Sequence, residues 1–424
     1  MLQVTYIREN KETVIAGLRK RNIEDIEAII DSVLELDDKK RATQKERDDA
    51  QAAANKKSKE IGGLMREGKK EEAEAAKAET SELKSRVKEL SEQFSQLDQE
   101  LKNKLYHIPN VPQPIVPEGK SDEDNVEEYR KGEVPTLAEG SEPHWDLIKK
   151  YDIIDFEMGN KVTGAGFPFY KGKGARLQRA LVNFFLEKAV EKGYLEVQPP
   201  IVVNEASGYG TGQLPDKEGQ MYHIGKDELY LIPTAEVPIT NMFRDEILRK
   251  EDLPKRCVGF TPCFRREAGS WGADVRGLNR LHQFDKVEIV NVTKPEDSET
   301  AHKEMCDYVE SLLVELGLPY RRLLLCGGDL SINAGLCYDF EVYSAAQERW
   351  LEVSSVSNFY NYQANRLKLR YKDENNQTQL AHTLNGSALA LPRILAAILE
   401  NNQTPEGIRI PEVLVPFTGF DMIN

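Results

Sequence analysis

Residues 260–288, FTPCFRREAGSWGADVRGLNRLHQFDKVE, hold the densest set of chemically useful side chains in the chain. They read as strand, long loop, strand. Phe264, Arg265, Arg266 and Glu267 close the first strand. The loop from Ala268 to Asn279 is rich in Gly and Arg. Side chains alternate along a strand, so Phe284, Lys286 and Glu288 share one face of the second. Arg, an aromatic ring and two Glu on the walls of one hairpin can hold a phosphate, a heterocycle and an ammonium together. A nucleoside triphosphate with an amino acid supplies all three.

The rest of the chain must position that hairpin. Its 424 residues suit two or three domains with a sizeable core. No run of about 18 apolar residues is present, so no membrane span is expected. The N-terminus, MLQVTYIREN, has no signal-peptide design. The five cysteines form no CxxC pair and there is no HExxH, so neither a disulfide framework nor structural zinc is expected, and a reducing cytoplasm fits.

The net charge of −14 argues against nonspecific nucleic-acid binding. It is uneven, however. Residues 1–105 carry 22 Lys and Arg against 23 Asp and Glu, so the acidity lies beyond them.

That first segment reads as two helices. Leu83, Val87, Leu90, Phe94, Leu97 and Leu101 recur in steps of four and three, a coiled-coil seam. Residues 26–58 are strongly helical by propensity, with Ile29, Val33 and Leu36 on one face. Gly62, Gly63 and Gly68 predict a turn. Folding back there pairs Leu36 with Leu97, Val33 with Leu101 and Ala50 with Leu83, in an arm of about 50 Å. The pattern alone leaves open a dimerisation coil or spacer. Four prolines after Leu105 and an acidic tract end the arm. Three parts are expected: a helical arm over 1–105, a linker over 106–150 (with 121–150 a surface connection) and a catalytic domain over 151–424.

The last part mixes helices with strands in hairpin order, an α+β domain with a mostly antiparallel sheet flanked by helices. Predicted helices cover 176–192, 298–316 and 388–400, the last preceded by Asn385, Gly386 and Ser387. No P-loop or dinucleotide fingerprint is present.

These residues resemble a known family. The chain is similar along nearly its whole length to bacterial-type seryl-tRNA synthetases, a branch of the class II aminoacyl-tRNA synthetases. A helix and strand ending in proline (176–200), Phe264 to Glu267 continuing to Glu288, and a strand and helix carrying Arg393 match the three class signatures. Thr234-Ala235-Glu236, Glu352-Val353-Ser354-Ser355 and Asn385-Gly386-Ser387 match the seryl branch in order and spacing.

The resemblance implies a fold of helical hairpin arm plus class II catalytic domain, and an ATP-dependent serine–tRNA ligase. It implies that Arg265 and Arg393 are catalytic. ATP would be held by Arg265, Arg266, Glu267, Leu281, Phe284, Glu352, Val353, Ser354, Ser355 and Arg393. Within that set, Arg265 takes the α-phosphate, Glu267 accepts from the adenine amino group, and Phe284 and Arg393 sandwich the base. Glu352 holds Mg²⁺ on the phosphates, with Ser355 nearby. Thr234, Ala235, Glu236, Glu288, Asn385 and Ser387 form the serine pocket. Glu288 is assigned to the hydroxyl and Glu236 to the ammonium, an assignment that can be exchanged. The idle alternative for Arg265 is an ion pair with Glu267.

Partners implied are serine tRNA, selenocysteine tRNA where the organism has one, and a second copy of the chain as a homodimer meeting around residues 193–203. Lys56, Lys57, Lys59, Arg66, Lys69 and Lys70 at the arm tip are candidate phosphate contacts. Trp271 either stacks on a base or packs. Pro392 fixes φ beside Arg393 and removes a donor. Two other classes are open: a synthetase-like ligase loading a small amino acid onto a carrier protein, and a noncatalytic coiled-coil RNA-binding protein.

Overall fold

The computed structural model describes residues 1–216, 218–267 and 276–424. Trp271 and most of the hairpin loop lie outside the described residues. The chain divides into two compact units: residues 2–19 with 23–108, and residue 1 with 20–22 and 109–424.

The smaller unit is built on two long antiparallel helices, α1 (Ile26–Arg66) and α2 (Lys70–Tyr106). At 1.5 Å per residue, 41 residues give α1 a length of about 60 Å. Val33, Leu36, Leu90, Leu101 and Leu105 are buried along the seam, with Ala54, Ala73 and Ala76 towards the tip. Polar contacts set the register from outside. Lys40 pairs with Asp98 at 2.7 Å, Lys57 with Glu79 at 2.9 Å, and the Arg47 guanidinium lies over Phe94. Gly62 and Gly63 do not turn the chain as their type suggests. They are the end of α1, and the reversal comes at Gly68, whose φ of +74° only glycine adopts freely. A preceding pair of short helices, Val4–Glu9 and Lys11–Arg19, is tied to α1 by Arg8 to Asp37 and Asp38 and by Lys11 to Asp31.

In the larger unit, among the described residues, eight strands form one sheet. In chain order they are β1 (Val126–Lys131), β2 (Leu195–Glu196), β3 (Lys255–Phe264), β4 (Gln283–Thr293), β5 (Tyr320–Leu324), β6 (Leu336–Ser344), β7 (Arg349–Tyr360) and β8 (His382–Ala390). Their spatial order is β1-β5-β6-β7-β8-β4-β3-β2, antiparallel except for β2 on β3. Helices α3 (Gly172–Glu191), α4 (Ser298–Glu315) and α5 (Leu391–Asn401) cover one face. There Leu181, Phe185, Met305, Leu312, Leu395 and Ile398 pack with Ile289, Phe340, Val356 and Leu384 in one apolar core. The helices bury that face, so polar residues in the alternate strand positions collect on the other.

Two differences from the sequence reading matter. The stretch read as a surface linker supplies edge strand β1, whose Glu127 and Glu128 pair with Arg321 and Arg322 of β5. Its charge reads as linker because an edge strand is half solvated and tolerates it. The helix expected from Ala388 begins at Leu391, because β8 runs on to Ala390. Pro392 therefore falls in the first turn of α5, where the missing N–H has no intrahelical partner to lose. Among the described residues no helix is long and apolar enough to cross a membrane.

Candidate active site

The polar face of β4, β7 and β8 floors a cavity of about 580 Å³. Two irregularities decide what reaches it. Opposite Glu341 and Phe340, β7 carries one extra residue, so Glu352 and Ser355, three apart, both line the cavity. Between Lys286 and Glu288 of β4, β8 advances three residues, from Ala390 to Ser387. Ser387 and Asn385 thereby stay on the cavity side beside Glu288.

Glu288 is fully buried and its two oxygens are shared among four donors. Thr234 Oγ1 donates at 2.9 Å and Lys286 Nζ lies at 2.5 Å from Oε2. Asn385 Nδ2 donates at 2.9 Å and Ser387 Oγ at 3.4 Å to Oε1. Glu236, at the start of the short helix Glu236–Asn241, is different. Its Oε1 accepts from Gln363 Nε2 at 2.6 Å, and among the described residues no protein donor reaches Oε2. Burial, with the charge of Glu288 adding to it, pushes its carboxyl up to about 7, against the opposing pull of Gln363, Lys286 and Arg265. One carboxylate is saturated by the protein; the other keeps an oxygen facing the cavity.

Two arginines and an aromatic ring also line the cavity. Arg265 is exposed at the end of β3, with its guanidinium 5.3 Å from the Phe284 ring centroid. Arg393, in the first turn of α5, donates from Nε to the Asn279 carbonyl at 3.2 Å and from Nη1 to the Glu352 carbonyl at 2.7 Å. Its guanidinium also lies 3.4 Å from the Glu352 carboxylate. Leu281 is buried and lines the cavity. Glu267 does not pair with Arg265, the idle alternative; it takes Arg280 at 3.0 Å.

The structure thus brings Thr234, Glu236, Arg265, Glu267, Leu281, Phe284, Glu288, Glu352, Val353, Ser355, Asn385, Ser387 and Arg393 around one cavity. Three sequence candidates stand apart from its lining. Ala235 is in the apolar core. Ser354 points to the neighbouring strand, its hydroxyl donating to the Ser387 carbonyl at 2.6 Å. Arg266 is exposed, its backbone N–H held by the Gln220 carbonyl.

Sequence reasoning also missed residues. Lys286 was on the marked face but had no role. Gln363, behind Glu236, has no sequence signal at all. Nor has the pair His144 and Glu400, buried and 2.6 Å apart. The Leu278 N–H donates to His144 Nε2 at 2.8 Å, so the proton sits on Nδ1, towards Glu400. Burial pushes the Glu400 carboxyl up, but His144 and Ser344 outweigh it and hold the group below its ordinary value. Gln347 joins Glu400 to Asn279, each link 2.9 Å. This network anchors residues 278–279, which line the cavity under Arg393.

Hard-oxygen donors suitable for Mg²⁺ are present: Glu352, half exposed at the cavity edge, and Ser355 beside it. Asp339 is the cross-strand neighbour of Ser355.

Comparison with known proteins adds independent findings. A family model described as the seryl-tRNA synthetase N-terminal domain matches residues 1–112. One described as the tRNA synthetase class II core domain (G, H, P, S and T) matches residues 221–402. A serine–tRNA ligase of Salinibacter ruber is 50% identical over 426 residues, covering 100% of this chain and 99% of its own length. One from Staphylococcus saprophyticus is 44% identical, covering 99% and 98%. The crystal structure of a seryl-tRNA synthetase from Pyrococcus horikoshii complexed with ATP superposes with a TM-score of 0.93 at 36% identity, covering 100% of this chain and 99% of that one. A cytoplasmic serine–tRNA ligase from Naegleria fowleri, in complex with AMP, gives 0.87 at 27% identity over the same shares.

Proposed function

Because the chain belongs to the seryl-tRNA synthetase family, we propose that it is a serine–tRNA ligase, activating L-serine with ATP and passing the seryl group to tRNA. The observation that supports this reading is a single cavity lined by an ammonium-ready carboxylate, by Arg265 over the ring of Phe284, and by Arg393.

In the first step a serine carboxylate oxygen attacks the α-phosphorus of ATP and the bond to the β-phosphate bridge breaks, releasing pyrophosphate. The carboxylate is ionised at neutral pH, so no general base is needed. The work is positioning and charge stabilisation. Arg265 grips the α-phosphate, since a planar guanidinium can hold two oxygens. For that it leaves the face of Phe284, freeing the ring for adenine, with Arg393 on the far side. Glu267 accepts from the adenine amino group, the Leu281 backbone lines the base, and Arg266 lies beside the phosphates. Glu352 and Ser355 would hold Mg²⁺, which when bound neutralises phosphate charge. The flanking backbone of Val353 and Ser354 shapes that edge.

Glu236, with its uncommitted oxygen, takes the serine ammonium. Glu288, Thr234, Asn385 and Ser387 form a polar trap for the hydroxyl. A site built to hydrogen-bond a hydroxyl rejects alanine because its buried groups would go unpaired; threonine is rejected by bulk. In the second step a terminal ribose hydroxyl of tRNA attacks the adenylate carbonyl and AMP leaves.

The arm reads the tRNA by shape and backbone rather than by base edges. The cognate tRNA is serine tRNA, with selenocysteine tRNA where one exists. The working form is a homodimer in the cytoplasm. A carrier-protein ligase would have no use for the long arm.

The test is aminoacylation with radiolabelled serine. Serine tRNA should be charged and a panel of acyl or aminoacyl carrier proteins should not. Label on a carrier protein with none on tRNA would overturn the proposal.

A further inference from the structure

Gln363 sits in the short helix Tyr362–Leu367, fully buried and outside the cavity lining. It does not itself line the cavity, yet its carboxamide is held at both ends. Its Oε1 accepts from Thr383 Oγ1 at 2.8 Å. Its Nε2 donates to the Thr211 carbonyl at 3.3 Å and to Glu236 Oε1 at 2.6 Å. A backbone carbonyl can only accept, so the amide nitrogen must face Thr211, and therefore Glu236 as well. The amide cannot flip without losing the Thr211 contact and setting two acceptors against each other at Glu236.

A neutral donor is the fitting choice here. Lys or Arg at this position would neutralise Glu236 and cancel its attraction for an ammonium. An apolar side chain would leave Oε1 buried and unpaired. Glutamine satisfies that oxygen, adds no charge, and leaves Oε2 to the cavity. Thr383 is on β8 two residues before Asn385, which holds Glu288. One strand therefore steadies both carboxylates of the pocket.

We propose that Gln363 is a positioning residue of the amino-acid site: it pins one oxygen of Glu236 so that the other is aimed, ionised, at the substrate ammonium. This rests on the assignment of Glu236 made above. The charged groups facing Glu236 are Glu288 and Lys286 from β4 and Arg265 from the end of β3; Glu288 disfavours its ionisation and the two cations favour it. Gln363 favours it through its hydrogen bond.

The experiment is serine-dependent ATP–pyrophosphate exchange over a range of pH, with the full-length enzyme and its Gln363→Leu, Thr383→Val and Glu236→Gln variants. Gln363→Leu should raise KM for serine at least tenfold, change kcat less than threefold and leave KM for ATP unchanged. The acid limb of kcat/KM for serine should move to higher pH. Thr383→Val, which frees only the oxygen end of the amide, should give a smaller change of the same kind. The inference is overturned if folded Gln363→Leu keeps the serine KM and the acid limb of the parent. It is equally overturned if KM for ATP and KM for serine rise together, as general damage to the core would make them. Should Gln363→Leu fail to fold, Thr383→Val decides, and an unchanged serine KM and acid limb overturn the inference. If Glu236→Gln raises the serine KM while both other variants behave as the parent, only this inference fails. If Glu236→Gln leaves the serine KM unchanged, the assignment of Glu236 fails and takes this inference with it.

Discussion

Lys286 and Glu288, two residues apart on one strand, both face the cavity and meet at 2.5 Å, with the lysine side chain almost fully buried. That pair is part of the pocket's framework as well as its lining. Removing Glu288 would strand a buried ammonium together with the donors Thr234 and Asn385. Breaking a buried pair from one side costs about 3–5 kcal/mol. Glu288→Ala should therefore lower unfolding free energy by that order in urea titrations, besides ending serine use. Glu236→Gln should leave stability within about 1 kcal/mol of the parent, because a desolvated charge is removed and the amide can still hydrogen-bond.

The raised Glu236 carboxyl should set the pH dependence of serine use. Burial pushes it up to about 7. Below that it is protonated and has no charge for the ammonium; above it the charge is present. kcat/KM for serine should climb about tenfold per pH unit below 7 and level off above it. Serine binding at pH 6 should release protons into the buffer, measurable by titration calorimetry in buffers of different ionisation enthalpy. The same raised value makes folding favour the protonated carboxyl, so this group's contribution to stability declines between its unfolded value and about 7.

Acid should act through His302 instead. It is buried behind β7, donates to the Val356 carbonyl at 2.9 Å, and burial lowers it to about 4. An unfolded histidine takes a proton near 6.5 while the folded one resists until about 4, so stability is present above 6.5 and is lost across that window. The loss reaches on the order of 3 kcal/mol. Partly buried His382, also lowered to about 4, acts in the same direction. Unfolding midpoints at pH 7 and pH 4.5 should differ less in His302→Gln than in the parent.

Arg265 should be needed in a way lysine cannot meet. Arg265→Ala should cut serine-dependent exchange by about a hundredfold or more, the loss of one charge-stabilising contact at about 3 kcal/mol. Arg265→Lys should recover only part of this, since a point charge cannot grip two phosphate oxygens. Full recovery by lysine would show that only net charge matters there.

Charges at the arm tip should matter for tRNA and not for amino-acid activation. Lys57 and Lys69 already have carboxylate partners, Glu79 and Glu67, whereas Lys59, Arg66 and Lys70 are exposed. Reversing those three charges should raise KM for tRNA at least tenfold at low salt, with exchange unchanged. The slope of tRNA affinity against salt should become shallower.

What was readable in the chain follows from what local periodicity encodes. The period of two along β4 was enough to put Phe284, Lys286 and Glu288 on one face, and the seam from Leu83 to Leu101 was enough to mark α2. Glu352 and Ser355 share a face only because of a bulge, and a bulge is set by the partner strand. The end of β8 at Ala390 depends likewise on its pairing with Lys286. Gly62 and Gly63 look like a turn by propensity but stay helical as exposed residues near the end of the long α1, where extending an already formed helix outweighs about 1 kcal/mol per glycine. Gln363, and His144 with Glu400, act through contacts more than 100 residues away in sequence, so nothing local announces them.

The most direct test of the account is exchange of labelled pyrophosphate into ATP with L-serine, L-alanine, L-threonine and glycine compared in one assay. Serine should support exchange at least a thousandfold more efficiently than alanine, as expected when a buried polar trap loses its hydroxyl partner. Exchange driven by alanine or glycine but not by serine would contradict the account.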